Sequence, residues 1–142
     1  MPKDTAIKLI KLFDTNDPFM IANYKGIHVF FEPLGSVYGY YNYYKRIRMI
    51  HINEELNEYL QRFTCAHELG HALLHHDINT SFLKSHTFFS TDKIEREANT
   101  FAVELLMPDE YLYELKDTEL TIYDAAEMYG VPKEVCLLKG YI

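Results

Sequence analysis

Residues 63–74 read Phe-Thr-Cys-Ala-His-Glu-Leu-Gly-His-Ala-Leu-Leu, and the pentapeptide His67-Glu68-Leu69-Gly70-His71 within them governs how the rest of the chain is read. On a helix, positions i and i+4 share a face, so His67 and His71 can aim imidazole nitrogens at one point. A single divalent metal is the usual reason for that spacing, most often zinc, with manganese as a second choice. Glu68 stands one step round from His67, close enough to reach a water on such an ion without binding the ion itself. A general base beside an ion that acidifies water is the machinery of zinc-dependent peptide hydrolysis. The flanks, Phe63 to Ala66 before and Ala72 to Leu74 after, are apolar enough for a buried helix. Two histidines and a glutamate buried there need partners, because unpaired polar groups away from water are costly.

A catalytic zinc takes three protein ligands and leaves one position open. His75 continues the i+4 run but lies about two turns from His67, too far along the axis to close a tight site. His75 and His76 are read as the polar end of the helix, where positive charge suits the dipole. The better source of a third ligand is residues 93–107, Lys-Ile-Glu-Arg-Glu-Ala-Asn-Thr-Phe-Ala-Val-Glu-Leu-Leu-Met, which have helical periodicity and are closed by Pro108. Thr91 or Asp92 can cap this helix. Glu95, Ala98, Asn99 and Ala102 share one face, so Glu95 can reach a metal while the small residues pack against the first helix. Glu97 is the rival, pointing roughly 200° away on an ideal helix. Glu95 is preferred because Glu-x-x-Ala-Asn resembles the Glu-x-x-x-Asp arrangement of gluzincins. Asn99 would then hydrogen-bond the far nitrogen of a ligating imidazole and fix its orientation.

Taken together, His67-Glu-Leu-Gly-His71 and Glu95-Arg-Glu-Ala-Asn-Thr-Phe-Ala-Val-Glu-Leu-Leu-Met-Pro108 resemble the ImmA/IrrE family of metallo-endopeptidases. The lead-in is similar too: Gly26-Ile27 opening a strand, Gly39 inside a second, and Ile50-His51-Ile52-Asn53 before the helix. The likeness covers residues 5–110 well and the tail less so. It implies an α+β zincin-like fold, with His67, His71 and Glu95 as zinc ligands and Glu68 as catalytic base. It also implies a protein substrate, typically a helix-turn-helix transcriptional repressor of a phage or mobile element, so that the protease acts as an antirepressor.

At 142 residues the chain is expected to form one domain. A hydrophobic content of 48% argues for a folded globule. No apolar run is long enough to span a membrane and the N-terminus lacks a signal-peptide core, so a cytoplasmic location is expected. Cys65 and Cys136 support no disulfide framework, and Cys65 is read as a small buried apolar residue. A net charge of −7 argues against direct nucleic-acid binding. The expected elements are a helix over 4–14, strands over 27–32, 37–44 and 46–52, and a helix over 54–76. A loop over 77–91, the second metal helix over 92–106, a short helix over 108–116, and helical segments over 121–129 and 132–138 follow. Residues 117–142 thus resemble half a helix-turn-helix, read as packing or docking rather than DNA contact.

The tyrosine run at 38, 40, 41, 43 and 44 has two readings. An edge strand above the active-site helix could bind extended substrate by β-addition, with Tyr38 or Tyr40 donating to an oxyanion. The plainer reading is favoured: tyrosines suit half-buried strands, and no donor is assigned. Two functions remain. One is a zinc-dependent endopeptidase; the other is a non-catalytic binding module on a metal-stabilised scaffold. The intact HExxH, a plausible Glu95 and the lack of a fourth protein ligand favour the enzyme.

Overall fold

A computed structural model describes residues 1–80 and 82–140. Among these, six α-helices and a three-stranded mixed sheet give the expected α+β architecture. Helix α1 (Pro2–Phe13) opens with proline at its first turn, where the missing N–H costs nothing. Helix α2 (Pro18–Tyr24) is capped by Asp17, whose carboxylate accepts from Phe19 N at 2.9 Å. Strands β1 (His28–Glu32), β2 (Gly39–Tyr44) and β3 (Ile47–Asn53) follow, then the long helix α3 (Glu58–Leu74). A 3-10 turn at Ser85–Phe89 leads to α4 (Lys93–Leu106), α5 (Asp109–Tyr113) and α6 (Ile122–Met128), with a last 3-10 turn at Cys136–Leu138.

The strand order is β1-β3-β2. β2 and β3 are an antiparallel hairpin joined by Lys45 and Arg46, at φ 49° and 65°. Two successive left-handed residues make the twisted turn that fits a hairpin, here without the usual asparagine or glycine. β1 pairs parallel with β3, Phe30 opposite His51 and Phe31 opposite Ile52. The inner sheet face, with Tyr41, Ile50 and Ile52 fully buried, lies on α3. α3 is therefore sandwiched, with the sheet on one side and α4 on the other.

Two glycines set the spacing of these layers. A Cβ at Gly39 would stand 2.5 Å from Thr64 Cγ2 and 2.6 Å from the His51 carbonyl oxygen, so β2 can cross α3 only with no side chain there. A Cβ at Gly70 would meet the Ala98 Cα and carbonyl oxygen at 3.3 Å and the Phe101 ring at 3.1 Å. Gly70 and Ala98 thus let α3 and α4 approach closely.

Several boundaries differ from expectation. The long helix starts at Glu58 rather than 54, because Asn57 caps it by accepting from Leu60 N at 2.9 Å and Asn53 holds the preceding turn. The expected loop 77–91 is partly ordered on the sheet edge. Leu83 pairs with Gly39, with Tyr38 N donating to Leu83 O at 2.7 Å and Leu83 N to Gly39 O at 2.9 Å. Asn79 Oδ1 accepts from Tyr43 N at 3.3 Å. The expected helix over 132–138 does not form: beyond Gly130 (φ 72°) and Pro132 there is only the three-residue 3-10 turn Cys136–Leu138. No recognition helix of a helix-turn-helix exists among the described residues.

Candidate metal centre

α3 and α4 cross where Gly70 meets Ala98, and this contact brings the polar faces of the two helices together. His67 and His71, one turn apart on α3, both turn towards Glu95 in the first turn of α4. His67 Nε2 lies 3.2 Å from Glu95 Oε1, and His71 Nε2 lies 3.2 Å from Glu95 Oε2. One donor atom from each of the three falls within 4.8 Å of the others, and all three residues are buried. Asn99, one turn after Glu95, accepts from His67 Nδ1 at 2.8 Å through Oδ1. The four residues singled out from spacing are therefore assembled at one place. Cys65 is fully buried, and burial pushes its thiol well above the usual range, as a small core residue requires.

The donor set fits a divalent cation. His71 Nε2 is buried and, despite its 3.2 Å approach to Glu95, has no hydrogen bond of acceptable alignment. That spacing is close to the roughly 3.3 Å between neighbouring ligands on a tetrahedral ion with bonds of about 2.0–2.1 Å. The electrostatics agree. Burial would raise Glu95, but the hydrogen bond from His67 and the close approach of the His71 imidazole hold it down, at about 2. Burial alone would lower His67, yet the bond to Glu95 and the nearby Glu68 and Glu95 carboxylates lift it above its ordinary value. Burial drives His71 down to about 4, against the pull of Glu95. A metal held by these atoms would displace any proton shared between His67 and Glu95.

Glu68 is the second orphan. Its side chain is fully buried and neither carboxylate oxygen has a hydrogen-bond partner. Burial pushes its carboxyl up to about 8, with His67 opposing and Glu95 adding to the rise. A carboxyl left unpaired beside a cluster of metal-type donors is placed to exchange protons rather than to hold the fold together.

Two residues read otherwise from sequence belong to this neighbourhood. His75 does end the helix, as its C-cap, but it is buried, its Nδ1 lies 3.2 Å from His71 Nδ1, and its Nε2 lies 2.9 Å from Glu97 Oε1. Glu97 is not turned idly away from Glu95 but reaches back to α3 through His75. The available signal was the i+4 step from His71 to His75, which repeats the step from His67 to His71. Tyr40, weighed as an oxyanion donor, lies on the sheet face away from α3, stacked on His51 at 4.3 Å between ring centroids. Tyr38 packs against Phe88 at 5.8 Å. Tyr41 faces inward and its hydroxyl donates to His76 O at 2.6 Å.

Comparison with known proteins identifies a family for the chain. Residues 22–139 match the Peptidase M78 family, described as the IrrE N-terminal-like domain, so the likeness extends through the tail, where sequence motifs suggested a weaker fit. The "Uncharacterized immunity region protein 2" of Bacillus phage phi105 is 49% identical over 133 residues, covering 93% of this chain and 84% of that protein. "Metallopeptidase ImmA" of Bacillus subtilis (strain 168) is 36% identical over 108 residues, covering 75% of this chain and 63% of that protein, just under two thirds of its length. With the match running through the sheet, α3 and α4 alike, the chain belongs to the ImmA/IrrE family of M78 metallopeptidases.

Proposed function

We propose that this chain is a zinc-dependent endopeptidase, a single domain over residues 1–142 that acts in the cytoplasm. Its target on this reading is a helix-turn-helix transcriptional repressor of a phage or mobile element, which it cuts to relieve repression. The observation that carries the reading is the convergence of His67, His71 and Glu95 beside a buried Glu68 with no structural partner. The names of the two relatives, one an immunity region protein and the other a metallopeptidase, supply the setting. No helix among the described residues is long and apolar enough to cross a membrane.

His67, His71 and Glu95 would hold the ion, and Asn99 would keep His67 turned towards it. A bound divalent cation would supply a Lewis acid that acidifies water and polarises a carbonyl. Glu68 accepts the proton of the water that attacks the scissile carbonyl carbon, then returns it to the amine nitrogen as the C–N bond breaks.

The test is zinc-loaded protein incubated with candidate helix-turn-helix repressors from the same genome, wild type beside Glu68→Gln. A discrete pair of fragments is expected, and Glu68→Gln should slow cutting by about 10²–10⁴-fold, as the loss of a general base does, while still binding the repressor. A repressor bound but left intact by both proteins would replace the protease with a sequestering module on the same scaffold.

A further inference from the structure

Resting on the metal-site reading above, we propose that His75 and Glu97 form a relay that selects which nitrogen His71 turns to the metal. His75 is the C-terminal cap of α3, and its backbone has left the helix at φ −138° while its N–H still donates to His71 O at 2.8 Å. That departure folds its ring back over His71, with centroids 5.4 Å apart and the two Nδ1 atoms 3.2 Å apart. The other ring nitrogen faces Glu97 Oε1 at 2.9 Å, across the gap to α4.

The hydrogen positions follow from what each group can do. A carboxylate only accepts, so His75 Nε2 carries a hydrogen and donates to Glu97. In a neutral imidazole the remaining nitrogen is then an acceptor, which makes His75 Nδ1 a lone pair aimed at His71. Two facing Nδ1 atoms can bond only if one holds a hydrogen, so His71 Nδ1 donates. His71 Nε2 is left as the lone-pair nitrogen, and it is the buried atom that faces Glu95 without a hydrogen bond. The partly exposed carboxylate of Glu97 thereby fixes the tautomer of a fully buried ligand two side chains away. His67 reaches the same tautomer in one step, through Asn99 Oδ1. His75 and Glu97 are positioning residues that touch neither the ion nor the substrate.

The rival explanation is a plain strut between the end of α3 and α4. Two measurements on the full-length protein separate them. The first needs no variant: long-range ¹H–¹⁵N correlation of the histidine rings in zinc-loaded wild type. Hydrogen on His71 Nδ1 and on His75 Nε2 is expected; hydrogen on His71 Nε2 would overturn the proposal. The second is zinc affinity of the chelator-stripped protein, by competition with a chromogenic chelator. His75→Leu should weaken zinc binding about 10–100-fold, the usual cost of losing an outer partner of a metal ligand. His75→Asn, whose amide oxygen can replace Nδ1 as acceptor, should recover most of that loss. Glu97→Met should weaken binding in wild type but not on the His75→Asn background, where the relay is already cut. Unchanged zinc affinity in His75→Leu would also overturn the proposal. Wild type that takes up no zinc would instead remove the metal reading on which the relay rests.

Discussion

At the scale of the residue, the site gathers buried polar side chains, of which Glu68 and His71 Nε2 have no hydrogen-bond partner. Glu95 is the decisive one, because both imidazoles converge on its two oxygens and it is held ionised at about 2 by them. Glu95→Gln removes the one anionic donor of the cluster. Elemental analysis of purified protein should find one zinc per chain in wild type and none in Glu95→Gln; full zinc in the variant would exclude Glu95 as a ligand. His67, Glu68 and His71 stood out from helical spacing alone, while the preference for Glu95 over Glu97 and the role of Asn99 came from the resemblance to gluzincins; the structure gathers the donor atoms of His67, His71 and Glu95 at one place. The roles of His75 and Glu97 were not legible in the sequence. Their contact depends on a backbone that leaves the helix at residue 75 and on the crossing of α3 with α4, neither of which a periodicity reports.

At the scale of the element, the centre is as precise as the distance between α3 and α4. Gly70 costs helix α3 about 1 kcal/mol against alanine, yet a methyl there would stand 3.3 Å from the Ala98 backbone. Gly70→Ala should therefore gain helix propensity and push the helices a few tenths of an ångström apart. The expected outcome is a thermal midpoint near that of wild type with zinc affinity down by roughly tenfold, since ligands need to be held within about 0.5 Å of their working geometry. An unchanged zinc affinity would show that the helix spacing is slack. The existence of these elements was readable from local signals: Pro108 closes α4, and alternation marks the strands. The parallel pairing of β1 with β3 was not, because register between distant segments leaves no trace in either one. The missing helix at 132–138 shows the converse, where an apolar run after Pro132 settles only as the three-residue 3-10 turn Cys136–Leu138.

At the scale of the whole molecule, α1 and the segment at Lys139 meet over α4 and α5. Lys139 Nζ lies 2.6 Å from Glu104 Oε1 and 2.7 Å from Asp109 Oδ1, and Lys3 Nζ lies 3.1 Å from the same Asp109 oxygen. Burial would raise Asp109, but the bonds and charge of Lys139 and Lys3 hold it below its ordinary value of 3.8. A carboxylate with a depressed folded value contributes stability that is present above 3.8 and lost as pH falls through the lower folded value. In urea unfolding of metal-free protein, Asp109→Asn should lower the midpoint at pH 6, and the gap to wild type should close as pH falls below 3.8. A gap independent of pH would mean that packing, not charge, makes the difference. The outer edge of β2 carries a different consequence. Leu83 and Asn79 already bond that edge, on the strand lying along α3. An extended chain added along that edge would have to displace the Leu83 and Asn79 bonds before making its own. Affinity for any peptide added there would accordingly be a difference between the bonds gained and the bonds given up.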